Sequence, residues 1–132
     1  MPQRPIALSL MLCDQVVFEQ GTQKPYLLGV FTGIVADSFP TTPQRFDLFA
    51  ALTDGQGDVM MKLQVMHLDS NQEVYSQQMT VRFAGPLEII NLRFRVRQLV
   101  YDSVGTYLFT LTVDDEEIAS RRVHVHERGQ SP

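Results

Sequence analysis

The chain has 132 residues and a formal net charge of −4, from 11 basic and 15 acidic side chains. This length is enough for one domain with a core of its own, so neither a metal nor a disulfide is needed for folding. The acidic balance gives no support to binding of nucleic acid or of an anionic membrane, and no run reaches the roughly 20 apolar residues of a membrane span. We therefore predict no nucleic-acid partner and no membrane association.

Turn residues divide the chain into nine short extended segments, of which the second has only three residues. In chain order these cover residues 6–13, 16–18, 26–36, 46–53, 59–68, 73–83, 87–100, 107–113 and 118–125. The first follows Arg4 and ends at Cys13, an arrangement that imitates a lipoprotein export signal. Its apolar run is short and the bulky Leu12 precedes the cysteine, so we predict a strand there. Because Cys13 is the only cysteine, no internal disulfide can form, and a cytoplasmic location is expected.

The turns between these segments carry the residues that hairpins require. Residues 54–58, with the sequence Asp-Gly-Gln-Gly-Asp, predict a hairpin between the fourth and fifth strands. Residues 69–72 and the acidic tetrad 114–117 predict two more. Within the long third segment, Gly29 and Gly33 predict bulges or bends.

Period-2 alternation is clearest in residues 107–113. Tyr107, Phe109 and Leu111 fall on one face of this segment, and the threonines lie mostly on the other. Helical periodicity is convincing nowhere in the chain. We predict an all-β fold, a two-sheet antiparallel β-sandwich of about eight strands. Residues 1–126 form this single domain, and residues 127–132 form a polar C-terminal tail.

Residues 99–109 resemble the tyrosine corner of immunoglobulin-like domains. In that motif an aspartate, a glycine and a tyrosine precede an inter-sheet cysteine. Asp102, Gly105 and Tyr107 take the first three places here, Phe109 stands where the cysteine would be, and the aspartate-to-glycine spacing is one residue longer. The resemblance implies an immunoglobulin-like sandwich without implying immunoglobulin descent.

A second resemblance covers roughly 110 residues of the chain. The matching positions are core and turn residues in segments 10–14, 26–31, 39–40, 105–109, 113–114, 117 and 119–123. In these segments the chain is similar to small bacterial proteins of a domain-of-unknown-function family, which are stand-alone β-sandwiches. The family's turn often has Asp-Gly where this chain has Asp114-Asp115, which implies a left-handed Asp115. The resemblance implies a fold and a bacterial origin, and it implies no activity.

Three arginines form the most polarised surface feature. Arg93, Arg95 and Arg97 alternate with apolar residues and so share one face of the seventh strand. They could bind an acidic or phosphate-bearing partner. They could instead pair with carboxylates such as Glu73 or Glu117, or form a charged edge that prevents sheet-to-sheet aggregation.

Two features of the sequence could bind a metal. His124 and His126 project from one face of the last strand, but zinc or iron would require at least one further ligand. The sequence does not show whether the strand that carries His67 lies beside the last strand. Carboxylates in the three acidic turns could bind calcium if the turns met at one end. The same residues are also what hairpin turns require for backbone reasons, and consecutive hairpins place alternate turns at opposite ends. We predict no cofactor.

Two segments, residues 26–36 and 59–68, are apolar on both faces. A sheet exposed on one side alternates more cleanly, so loops or another subunit must cover the second face. We predict a subunit interface at Met61, Leu63 and Val65. The function that we favour is a non-catalytic protein-interaction or structural module that forms a homo-oligomer or binds a protein partner. The alternatives are a metal- or small-ligand-binding module, and a hydrolase whose site assembles only in three dimensions.

Overall fold

The computed structural model describes residues 4–129, and this part of the chain contains nine strands and no helix. The strands are β1 (Ile6–Phe18), β2 (Pro25–Phe31), β3 (Gly33–Ala36), β4 (Gln44–Thr53), β5 (Gly57–His67), β6 (Gln72–Phe83), β7 (Ile90–Leu99), β8 (Gly105–Val113) and β9 (Glu116–Glu127). The prediction of an all-β fold is confirmed. The first two predicted segments are one continuous strand, β1.

Two sheets make up the fold. The first has the strand order β2-β1-β4-β7, and the second has the order β3-β9-β8-β5-β6. Every pair is antiparallel except β3 with β9, which is parallel. The prediction of a wholly antiparallel arrangement is therefore wrong at one edge. The predicted strand 26–36 divides at Thr32, because β2 belongs to the first sheet whereas β3, which begins at Gly33, belongs to the second.

One predicted hairpin is wrong and two are confirmed. The turn at residues 54–58 joins β4 of the first sheet to β5 of the second, so these strands are not partners. Turn residues reverse the chain, but they do not determine which sheet receives the next strand. A side chain at Gly55 would meet the Phe83 ring at 2.5 Å, so the crossing is packed closely on β6. The hairpins β5–β6 and β8–β9 form as predicted.

The tight turn between β8 and β9 has two left-handed residues. Asp114 has a φ of 52° and Asp115 a φ of 66°. A two-residue hairpin loop with positive φ at both positions matches the right-handed twist of its strands. The implied conformation of Asp115 is confirmed, and Asp114 shares it.

The core lies between the inner faces of the two sheets. The residues of β8 that were predicted to share one face, Tyr107, Phe109 and Leu111, are fully buried, and so is Val113. Phe46 of the first sheet meets Phe109 of the second edge to face, with ring centres 6.0 Å apart. The Tyr107 hydroxyl donates a hydrogen bond to the backbone oxygen of Ser103 at 2.7 Å, four residues upstream.

The two ends of the chain are only partly described. β9 runs to Glu127, and the Arg128 backbone N–H donates to the Ala36 oxygen at 2.8 Å, so ordered structure continues into the predicted tail. Residues 130–132 of that tail, and residues 1–3, lie outside the described residues. Between residues 4 and 129 there is no helix long and apolar enough to cross a membrane.

Candidate functional site

The β1–β2 hairpin extends beyond the sheet to which it belongs. Pairing of β1 with β4 ends at Cys13 opposite Asp47, whereas pairing of β1 with β2 continues to Phe18 opposite Pro25. The free part of this hairpin, residues 14–28, is called the arm. It lies against the outer face of the first sheet, the face turned away from the core.

Two charged side chains hold the arm by its backbone. The N–H of Val16 donates to Asp47 Oδ2 at 2.8 Å, and the carbonyl oxygen of Val16 accepts from Arg93 Nη1 at 3.1 Å. The Arg93 guanidinium also lies 5.5 Å from the centre of the Phe18 ring, a cation–π contact. Asp47 is only 1% exposed. Together these contacts fasten a hairpin that no strand ladder secures on this side.

A small second core lies under the arm. Its buried residues are Cys13, Val16 and Phe49, with Phe18, Leu27 and Ala51 packed around them. Burial raises the pKa of the Cys13 thiol, and the negative charge of Asp47 raises it further. The thiol is therefore protonated at neutral pH, which makes it a poor nucleophile. The arm, rather than a second subunit, covers this part of the outer face.

The three arginines of the predicted stripe have different environments. Arg93 belongs to the arm contacts. Arg97 donates to the Phe46 backbone oxygen at 3.0 Å and to Asp47 Oδ1 at 3.3 Å. Arg95 is exposed, and no hydrogen bond or ion pair is found for it among residues 4–129. Only Arg95 is therefore uncommitted.

The carboxylates that were predicted as possible partners of the three arginines, Glu73 and Glu117, do not pair with them. Glu73 lies 3.9 Å from Lys62 and accepts a hydrogen bond from Gln64 at 2.7 Å. Glu117 lies on β9 of the other sheet. β7 is an edge strand of the first sheet, which is the position that a charged, aggregation-resistant edge requires.

A cleft of about 220 Å³ opens beside the uncommitted arginine. It is lined by Asp14, Gln15, Arg45, Asp47, Arg95 and Arg97. We call this depression the arginine cleft. A larger groove of about 430 Å³ adjoins it, shares Asp14 and Arg45 with it, and runs along Gly29, Val30 and Phe31 of β2. The groove exists because β1 leaves β4 at Cys13 while β2 crosses toward the second sheet.

The edge strand β2 carries an apolar stripe that faces solvent. Tyr26, Leu28 and Val30 alternate along the strand and are 48%, 51% and 47% exposed. No residue from Pro25 to Phe31 is charged. The other three edges have the usual protection, since β3 is only four residues long, β7 carries the arginines, and β6 exposes Ser76, Gln78, Thr80 and Arg82.

The predicted subunit interface on β5 requires a correction. Met61, Leu63 and Val65 are each 0% exposed and belong to the core between the sheets. A second subunit cannot reach them while the fold is intact. The outward face of β5 carries Met60, Lys62, Gln64 and Met66 instead. Both faces of β5 carry apolar residues in the sequence, and the face that was predicted to form the interface is the buried one.

The histidine pair is placed side by side, but it has no third ligand of the usual kinds within the described chain. The rings of His124 and His126 have centres 6.2 Å apart, and His124 Nδ1 lies 2.9 Å from the Thr106 hydroxyl. His67 is buried and stacks on Tyr107 at the inner face, with ring centres 4.4 Å apart. No group of three or more His, Cys, Asp or Glu side chains that could hold a metal is present among residues 4–129.

Three aspartates of the acidic turns have backbone conformations that turns require. The three turns are divided between the two ends of the second sheet. Asp54, Asp114 and Asp115 all have positive φ, the conformation that Asp tolerates in turns. Val113 lies opposite Met61 near the start of β5, whereas Tyr107 lies opposite His67 at its end. The Asp69 turn is consequently at the far end from the other two, as the alternation of hairpins predicts.

Sequence reasoning did not single out Asp47 or Arg45. A signal for Asp47 was present, because a lone aspartate interrupts the otherwise apolar run of residues 46–52. A carboxylate in such a run is either exposed or buried with a partner. No comparable signal marked Arg45, whose importance comes from the departure of β1 at Cys13.

The model of one protein family, described as a family of unknown function (DUF6941), matches residues 8–126. That range begins in β1 and ends one residue before the end of β9, so it takes in both sheets. No curated protein matches the chain.

Proposed function

The chain belongs to this family of unknown function, and we propose that it is a non-catalytic protein-interaction module that self-associates through the free edge of β2. The observation that carries the proposal is the uncharged apolar edge of β2. An edge strand presents unpaired backbone N–H and C=O groups, and natural proteins shield such edges or pair them. Since β2 has no charge along its length, a paired state is the simpler account.

The stripe on β2 is complementary to itself. In an antiparallel pair with a two-fold axis at Leu28, Leu28 of one copy faces Leu28 of the other, and Tyr26 of each copy faces Val30 of the other. Every cross-strand pair on that face is then apolar, and pairs of aromatic and β-branched residues stabilise sheets. An isologous contact of this kind closes as a dimer rather than continuing as a fibre. The joined first sheets would form one continuous sheet across the axis.

The test is the solution mass measured by light scattering over a range of concentrations, with and without chelator. We expect the wild type to be a dimer that chelator leaves unchanged. Leu28→Lys places a charge at the centre of the contact and should give a monomer. Met60→Lys is the matched control, because Met60 is 47% exposed, close to the 51% of Leu28, but lies on β5 of the other sheet.

Three outcomes would count against the proposal. A wild type that is monomeric at its highest soluble concentration removes self-association. A dimer that survives Leu28→Lys as well as Met60→Lys places the contact elsewhere. An oligomer that dissociates with chelator would favour the histidine pair, His124 and His126, as a metal-dependent contact.

Origin, location and ancestry are part of the same proposal. The hydrogen bond from Tyr107 to Ser103 is the contact that defines a tyrosine corner, and it supports an immunoglobulin-like relationship. The buried, unpaired thiol of Cys13 suits a reducing cytoplasm. The bacterial origin rests on the sequence resemblance alone.

A further inference from the structure

The arginine cleft combines one fixed guanidinium with two free ones. Arg97 is held by Asp47 and by the Phe46 backbone oxygen, so its position is set before any ligand arrives. Arg95 lies opposite Asp47 in the β4–β7 ladder, and Arg45, two residues before Asp47 on β4, lines the same cleft. Arg45 and Arg95 are exposed, and neither has a hydrogen bond or ion pair within residues 4–129.

The charge in the cleft is opposite in sign to that of the chain. Three arginines and two aspartates line it, although the chain as a whole carries a net charge of −4. Both carboxylate oxygens of Asp47 already accept hydrogen bonds, one from the Val16 N–H and the other from Arg97. Like charges on neighbouring strands repel each other, and a bound anion would relieve that repulsion.

We propose that the arginine cleft is an oxyanion-binding site, formed by Arg45, Arg95 and Arg97, for a small molecule that carries a carboxylate or phosphate group. Guanidinium groups bind both kinds of oxyanion through paired N–H donors. The cleft has a volume of about 220 Å³. This volume admits a small organic anion and is below the usual range for larger ligands.

The site is tested by following the arginine side-chain Nε–Hε signals in nuclear magnetic resonance spectra. Succinate and inorganic phosphate are the two probes, each added against sodium chloride of equal ionic strength. We expect saturable shifts of the Arg45, Arg95 and Arg97 signals with at least one probe. A response to succinate alone assigns the site to carboxylates, and a response to phosphate alone assigns it to phosphate groups.

Variants separate this site from general surface charge. Arg45→Gln and Arg95→Gln should each weaken binding about tenfold, the loss expected for one charge-assisted hydrogen bond. Both side chains are exposed and uncommitted, so the backbone spectrum should keep the wild-type fold. Arg122→Gln is the matched control, since Arg122 is exposed on β9 of the other sheet and should leave binding unchanged.

The proposal fails if neither probe produces a saturable shift beyond that of chloride. It also fails if Arg45→Gln and Arg95→Gln bind as tightly as the wild type, or if Arg122→Gln weakens binding equally. The same titration on the Leu28→Lys variant keeps this test independent of self-association, because the cleft is formed within one copy.

Discussion

At the scale of single residues, two buried tyrosines differ in whether their hydroxyl groups form a hydrogen bond. Tyr107 donates from its hydroxyl to the Ser103 oxygen at 2.7 Å. Tyr101 is fully buried against the Tyr107 ring, with centres 4.8 Å apart, and its hydroxyl has no hydrogen-bond partner among the described residues. A buried hydroxyl without a partner costs free energy that a buried hydrogen-bonded one does not.

We predict that the same substitution has opposite effects at the two positions. Tyr101→Phe should raise the free energy of unfolding by about 1 kcal/mol, because it removes an unsatisfied polar group. Tyr107→Phe should lower it by about 1 kcal/mol, because it removes a made hydrogen bond. Urea denaturation measures both. A loss of stability in Tyr101→Phe would mean that its hydroxyl is satisfied in solution.

At the scale of elements, the arm depends on contacts that strand pairing does not provide. Val16 is held through its backbone by Asp47 and Arg93, and Asp47 also fixes Arg97. Removing the Asp47 carboxylate leaves the buried N–H of Val16 without an acceptor and the Arg97 guanidinium without its carboxylate partner. The arm is therefore the part of the fold most sensitive to one buried charge.

We predict that Asp47→Ala lowers the free energy of unfolding by about 3 kcal/mol. Amide hydrogen exchange in residues 14–28 should accelerate more than exchange in β5 and β8. Asp58→Ala is the control, because Asp58 forms only an exposed pair with Arg82 at 3.5 Å and should change stability by less than about 0.5 kcal/mol. Equal effects of the two substitutions would show that the arm does not depend on Asp47.

The same elements show what a single sequence can and cannot reveal. Strand positions and inward faces follow from period-2 alternation, so β8 and the hairpins β5–β6 and β8–β9 were predictable. Alternation says which residues share a face, but it does not say which sheet a strand joins. The crossings at Gly33 and at residues 54–58 were therefore missed. Which of the two faces of β5 is buried depends on neighbours that are distant in sequence. The contact of the arm with Asp47 depends on such neighbours too.

At the scale of the whole molecule, the two sheets differ in what they show to solvent. The first sheet has its outer face partly covered by the arm, its arginines at one edge and an apolar stripe at the other. The second sheet has a polar edge at β6 and a very short one at β3. Both proposed binding regions consequently belong to the first sheet, one at its free edge and one on its outer face.

A property of the whole fold follows from its buried weak acids. Burial is the main cause that raises the pKa of Tyr75, Tyr101, Tyr107 and Cys13 in the folded state. Below the unfolded values, about 8.5 for a thiol and about 10 for a phenol, both states are protonated and stability is at its full level. Above them the unfolded state loses protons first, so stability falls as pH rises.

We therefore predict that the urea midpoint is nearly constant from about pH 7 to about pH 8, declines above about pH 9 and declines more steeply above about pH 10. Tyr101→Phe should show a shallower alkaline decline than the wild type, because it removes one of the raised phenols from the folded state. A wild-type midpoint that does not change up to about pH 11, or a parallel decline in Tyr101→Phe, would contradict this account. Arginines stay charged throughout this range, so the arm contacts at Asp47 do not contribute to the decline.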